Sequence, residues 1–243
     1  MKHTLFLSTL LSITTILSAQ KLLDAVETKN YKAAEQFMKE GENVNVTDTG
    51  GQFPLWRAVW NGDTKMVGLL LEHGANAKQK FKGQIEIDLL EVAAQEGYLD
   101  IIKLLVKGGS DVNVRSARGQ TPLRIAARNG RTELVQFFIS KGCNINSKAD
   151  DGATPLESAA GKGHLDIVKL LVEKGASVNI QDKEGDCALG EAARSGSVDV
   201  VNYLLSKGAD VSLKNTEGQN PEEIARLSGQ PKVESILKSK RKN

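Results

Sequence analysis

The chain has 243 residues, 40% of them hydrophobic and 26% charged, with a formal charge of +2. That composition excludes wholesale disorder, collagen and a multi-span membrane protein, and two cysteines are too few for a disulfide-stapled scaffold. Lys and Arg number 32 against 30 Asp and Glu, which argues against nucleic acid as the main partner, because phosphate binders carry a marked basic excess. Aromatic residues are only 5%, so the core must be mostly aliphatic.

The chain opens with a short basic start, Lys2 and His3, followed by an uncharged apolar run from Leu5 to Leu17. Small residues, Ser18 and Ala19, precede Gln20. Basic start, greasy middle and small-residue exit are the layout of a secretory signal peptide over residues 1–19. The run is too short to span a bilayer, which needs about 20 apolar residues. Membrane contact is therefore expected only through this transient segment, with export to the periplasm or outside the cell.

From Gln20 onward one period organises the sequence. A glycine closes a Leu-Leu stretch at Gly109, Gly142, Gly175 and Gly208, each 33 residues after the last. In the same register stand mid-unit glycines (Gly97, Gly130, Gly163, Gly196), leucines (Leu90, Leu123, Leu156, Leu189) and alanines (Ala93, Ala126, Ala159, Ala192). A fixed period of this length means stacked supersecondary units. Seven are read: a degenerate capping unit at 20–47, five full units over 48–213, and a capping unit at 214–241.

Each unit predicts two helices. Thr121 and Thr154 are placed to cap the first helix, with Pro122 and Pro155 at its first position, where a missing N–H costs nothing. Asp88 and Asn220 can cap equally well, whereas Phe53 and Cys187 offer no capping oxygen. Asp100, Glu133, Asp166 and Asp199 fall in the first turn of the second helix and favour its dipole. Ile167, Val168, Leu170 and Leu171 recur at helical spacing and should pack the stack. Closing glycines permit a left-handed exit, and Asn113, Asn146 and Asn179 should hydrogen-bond the connecting loops. Unit three carries a two-residue insertion near Lys78–Ile87, where a longer loop or irregular finger is expected.

The unit from Asp151 to Asn179, with Thr154-Pro155-Leu156, and its neighbour with Thr121-Pro122-Leu123 resemble ankyrin repeats. The resemblance covers about residues 21–241. It implies an all-α solenoid of stacked helix-turn-helix units with β-turn fingers. The family usually places His after Thr-Pro-Leu; here Trp56, Glu91, Arg124, Glu157 and Gly190 stand in that slot, so the turns lose a familiar brace. His164 fits the family's Gly-His position and is expected to be structural.

No catalytic, cofactor-binding or metal constellation is legible. His73 and His164 are three repeats apart, no phosphate-loop spacing occurs, and Cys143 and Cys187 are too far apart to be an expected disulfide. Neither a cofactor nor a small-molecule substrate is expected. What remains is surface recognition by a monomeric, non-catalytic module whose protein partner is unidentified. The resemblance implies binding through the concave face. Its helix slots hold Trp60, Asn61, Gln95, Arg128, Asn129, Lys162 and Arg194; its fingertip slots hold Arg118, Gln120 and Asp151. Trp and Arg dominate interface hot spots, so Trp60 and a ridge of Arg118, Arg128 and Arg194 lead. Rival readings are a secreted effector or toxin-neutralising protein, and an accessory factor in oxidative-stress defence.

Overall fold

The computed structural model describes residues 20–83 and 85–241, with the side chain of Arg241 left aside. The signal segment expected at 1–19 lies outside them. The chain forms two compact units, one ending at Asp111 and the other running from Val112. Both are built from paired short helices, as the period requires.

The first unit holds α1 (residues 20–27), α2 (Tyr31–Lys39), α3 (Pro54–Trp60), α4 (Thr64–Glu72), α5 (Leu89–Glu96) and α6 (Leu99–Lys107). Its core gathers Leu22, Leu55, Met66, Leu70, Leu90, Ile101, Ile102 and Leu105, all fully buried. α3 packs on α4 and α5, and α6 packs on α4 and α5. The longer segment in unit three carries a short strand pair that an irregular finger would lack: β1 (Phe81–Lys82) pairs antiparallel with β2 (Glu86–Ile87), Phe81 opposite Ile87.

The second unit holds α7 (Pro122–Arg128), α8 (Thr132–Ser140), α9 (Pro155–Gly161), α10 (Leu165–Glu173), α11 (Ala188–Ser195), α12 (Val198–Ser206), α13 (Pro221–Leu227) and α14 (Pro231–Arg241). The first helices stack in one row, α7 to α9 to α11 to α13, and the second helices in another, α8 to α10 to α12 to α14. The paired alanines Ala126-Ala127, Ala159-Ala160 and Ala192-Ala193 are buried and let the helices approach closely.

The local chemistry accounts for the helix ends. Thr121 accepts a hydrogen bond from the Arg124 N–H and Thr154 one from that of Glu157. Asp88 accepts from the Leu90 N–H, and Asn220 forms a reciprocal capping box with Glu223. Phe53 and Cys187 make no side-chain cap, as their chemistry dictates. Two caps were not anticipated: Asn30 accepts from the Ala33 N–H and Asp63 from that of Met66.

Within each unit loop asparagines tie successive repeats together. Asn146 Oδ1 accepts from the Ser177 N–H at 2.9 Å, and Asn179 accepts from that of Asp210 at 2.9 Å while donating to the Gly208 carbonyl at 3.1 Å. Asn113 accepts likewise from the Asn144 N–H at 2.8 Å. Asn45 does the same in the first unit, with the Asn76 N–H and the Gly74 carbonyl. His164 is structural, its Nε2 3.1 Å from the Arg128 carbonyl. A Cβ on Gly130 would sit 2.9 Å from that imidazole, so the glycine makes room for it.

Leu171 is fully buried, but Leu170 is only half-buried, because helical geometry turns it toward the flank. Leu171→Ala is expected to destabilise the fold by about 2–5 kcal/mol, and Leu170→Ala by less than half as much. Urea unfolding of the two variants checks the order.

Candidate functional site

The fingers are tight turns closed by backbone bonds, such as Ser116 N–H to the Gln120 carbonyl at 2.9 Å and Asp182 N–H to that of Asp186 at 2.9 Å. In the second unit they are also bonded to one another. The Asp150 N–H donates to the Arg118 carbonyl at 3.1 Å, Lys183 N–H to Asp151 at 2.9 Å, and Thr216 N–H to Glu184 at 2.8 Å. A Cβ on Gly152 would lie 2.7 Å from the Lys183 nitrogen, and its φ is +88°; both features require glycine at that contact.

The sequence-derived residues divide between the units. Trp60, Asn61 and Gln95 belong to the first; Arg118, Gln120, Arg128, Asn129, Asp151, Lys162 and Arg194 belong to the second. In the first unit Trp60 is 62% exposed, although its type usually seeks cover. Its ring stacks on Trp56 with centroids 5.7 Å apart, and Trp56 stacks on Phe81 of the hairpin at 4.5 Å. These rings line a cavity of about 460 Å³ with Glu27, Arg57, Asn61 and Ile87. Asn61 Nδ2 donates to Glu27 at 3.4 Å. Sequence reasoning missed Phe81, because it lies in the insertion, off the repeat register.

In the second unit Arg118, Arg128 and Lys162 are exposed. Arg194 is different. Its guanidinium bonds the carboxylates of Asp186 and Glu191, so its charge is spent within the chain. The expected positive ridge of Arg118, Arg128 and Arg194 is therefore interrupted at Arg194, where two acids outnumber the cation. Asp151 is likewise engaged, 2.8 Å from Arg124 Nη2. Burial raises the Asp151 carboxyl, but hydrogen bonds from the Ala153 N–H and from Arg124 prevail and hold it below its ordinary range. Gln120 is half-buried and its N–H donates to Ser116 Oγ at 3.1 Å. Asn129 caps the end of α7.

Arg124 and Glu157 occupy the slot that the resemblance gives to His, and both are buried. Arg124 also donates through Nε to Ser158 at 2.9 Å, so it braces the next repeat in place of the missing histidine. Thr121 Oγ1 lies 3.1 Å from Ser147 Oγ. Arg124, Arg128, Glu157 and Lys162 line a cavity of about 190 Å³ across α7 and α9. Arg124 Nη1 and Glu157 Oε2 have no hydrogen-bond partner there among the described residues. Cys143 and Cys187 are both free thiols.

Burial pushes the Glu157 carboxyl up to about 9, and the carboxylates of Asp182 and Glu191 add to the effect. The fold thus favours the protonated form. Its stabilising contribution is complete below the ordinary value of 4.5 and is lost as pH rises toward 9. Glu157→Gln keeps the shape and removes the titration. Relative to the parent it should gain stability progressively as pH rises from 4.5 toward 8.5, because the unfolded parent ionises there while the folded one stays protonated, and nothing at pH 4. Thermal melts at the two pH values check this.

Among the described residues no group of three or more His, Cys, Asp or Glu gathers as a metal-ligand set, and no helix is long and apolar enough to cross a membrane. The profile of three-copy ankyrin repeats matches residues 89–182 and 151–215, and that of a single ankyrin repeat matches residues 50–80. The chain is 34% identical over 101 residues to the mouse (Mus musculus) B-cell lymphoma 3 protein homolog, covering 41% of this chain and 22% of that protein. It is 33% identical over 106 residues to the chicken (Gallus gallus) nuclear factor NF-kappa-B p105 subunit, covering 41% and 10%. It is 29% identical over 95 residues to human (Homo sapiens) ankyrin repeat and SOCS box protein 3, covering 39% and 18%. The match thus spans less than a quarter of the length of each of these relatives. With stacked helix pairs, bonded fingers and profile matches over more than half its length, the chain belongs to the ankyrin-repeat family, whose repeats form protein–protein interaction scaffolds.

Proposed function

We propose that this protein is a non-catalytic module that captures another protein through the face made by its first helices and fingers, and that it is exported from the cytoplasm. One observation carries the binding reading. An indole that could have been buried at a gain of about 1.5–3 kcal/mol stands 62% exposed on that face, over an aromatic-lined cavity. Exposed aromatic surface of this kind marks interaction sites. In the second unit Arg128 and Lys162 are exposed at the C-terminal ends of the first helices. The export reading rests on the basic start, apolar run and Ala19-Gln20 exit of the sequence.

Affinity capture with residues 20–243 as bait should retain a defined protein that the Trp60→Ala variant loses, with unchanged helical circular dichroism. Full recovery by the variant would move the site to the opposite face or to the basic tail. For export, N-terminal sequencing of the mature protein should begin at or near Gln20; an intact Met1 in the cytoplasmic fraction refutes it.

A further inference from the structure

The cavity beside α3 has a definite electrical character. Among the described residues Arg57 is its one cationic lining residue, and its guanidinium is paired with Asp48 at 3.1 Å, with both side chains 18% exposed. Glu27 stands 3.7 Å from the same guanidinium with 55% of its side chain exposed. One cation therefore faces two carboxylates, and the exposed one, Glu27, keeps an unmatched charge at the mouth. Its neighbour Asn61 donates a long bond of 3.4 Å, which orients the carboxylate without neutralising it. The hairpin lysines do not correct the balance: Lys80 is paired with Glu86 at 3.5 Å, and both Lys80 and Lys82 line a separate cleft.

The walls are π faces. Trp56 stacks on both Trp60 and Phe81 and is itself buried, while Trp60 is 62% exposed and leaves much of its ring to solvent. An aromatic face is the negative side of its quadrupole and attracts a cation, most strongly for Trp. An unmatched carboxylate beside an open indole selects a group that is both planar or compact and positively charged.

We propose that this cavity seats a cationic side chain of the partner protein, an arginine above all, packed on the exposed part of the Trp60 ring with Glu27 as its counter-charge. The assignment rests on the protein-binding reading above and adds the chemistry of the residue recognised. Arginine suits the site better than lysine because its flat guanidinium covers the indole while its edge donates to Glu27.

Both tryptophans of the chain, Trp56 and Trp60, line this cavity, so tryptophan fluorescence, excited selectively over the three tyrosines, reports it alone. The purified protein is titrated with N-acetyl-(Gly-Arg)3-amide, with the same peptide carrying citrulline, and with its glutamate counterpart. The arginine peptide should give a saturable change that weakens as salt is raised. The citrulline peptide, neutral but of equal shape, should bind at least about tenfold more weakly, and the glutamate peptide not at all. Glu27→Gln should bring arginine and citrulline peptides together, and Trp60→Ala should abolish the Trp56 response, with circular dichroism unchanged in both. Equal binding of arginine and citrulline peptides, an unaltered Glu27→Gln titration, or no response to any peptide overturns the proposal. If the arginine peptide fails while capture of a protein still depends on Trp60, the cation assignment falls and the binding reading stands; if both fail, both fall.

Discussion

A helix of seven residues facing one of nine cannot cover its own apolar side, and every other feature of this protein follows from that shortage. Leu171, Ile167 and Val168 are buried because adjacent helix pairs close over them. Stacking must then hold each pair at a fixed height and angle against the next. Nonspecific packing of Leu and Val cannot set that register alone, because it tolerates sliding. The loop asparagines supply the missing directionality: each side-chain amide bonds the backbone of the following repeat, at positions 29 and 31 residues onward. Apolar burial drives the stack, and a handful of amides index it.

With the core so occupied, the outer side of the first helices and the fingers is free to vary. The two units use this freedom differently. In the first, a short hairpin departs from the repeat and lays Phe81 against Trp56, which props Trp60 outward. In the second, charged residues penetrate the helix row itself. Arg124 reaches forward to Asp151 and Ser158, and Arg194 is drawn to Asp186 and Glu191. One face is aromatic with an excess acid; the other is a mosaic in which most charges already have partners.

What could be read in the sequence was what repeats. The 33-residue period located the helix pairs, and the chemistry of Thr121, Thr154, Asp88 and Asn220 located their caps, because a cap depends on a residue and its own next turn. Features that depend on contacts beyond a residue's own helical turn were not legible. Arg194 looked like a free charge because its partner Asp186 is eight residues away, in the finger. Glu157 stands in a slot the family gives to His; only the packing of α9 against its neighbours shows it buried, where the protonated form is favoured. The hairpin was seen as an insertion, but nothing in a single sequence aligns Phe81 with Trp56. Leu170, by contrast, was misjudged on a local matter, because a run of Leu-Leu conceals which of the two faces inward.

The bonded fingers have a mechanical consequence. In the second unit the turns at 116–120, 149–153, 182–186 and 215–219 are linked by backbone hydrogen bonds of 2.8–3.1 Å, while among the described residues the second helices pack through side chains, with the loop asparagines tying only their ends. Hydrogen bonds are short and directional, so the finger edge resists stretching; side-chain contacts allow small slips. Bending should therefore pivot on the finger edge, opening or closing the helix edge like the pages of a book held at the spine. Groups on the fingers keep a constant pitch during such motion, and a ligand that spans several of them meets a ruler of nearly fixed spacing.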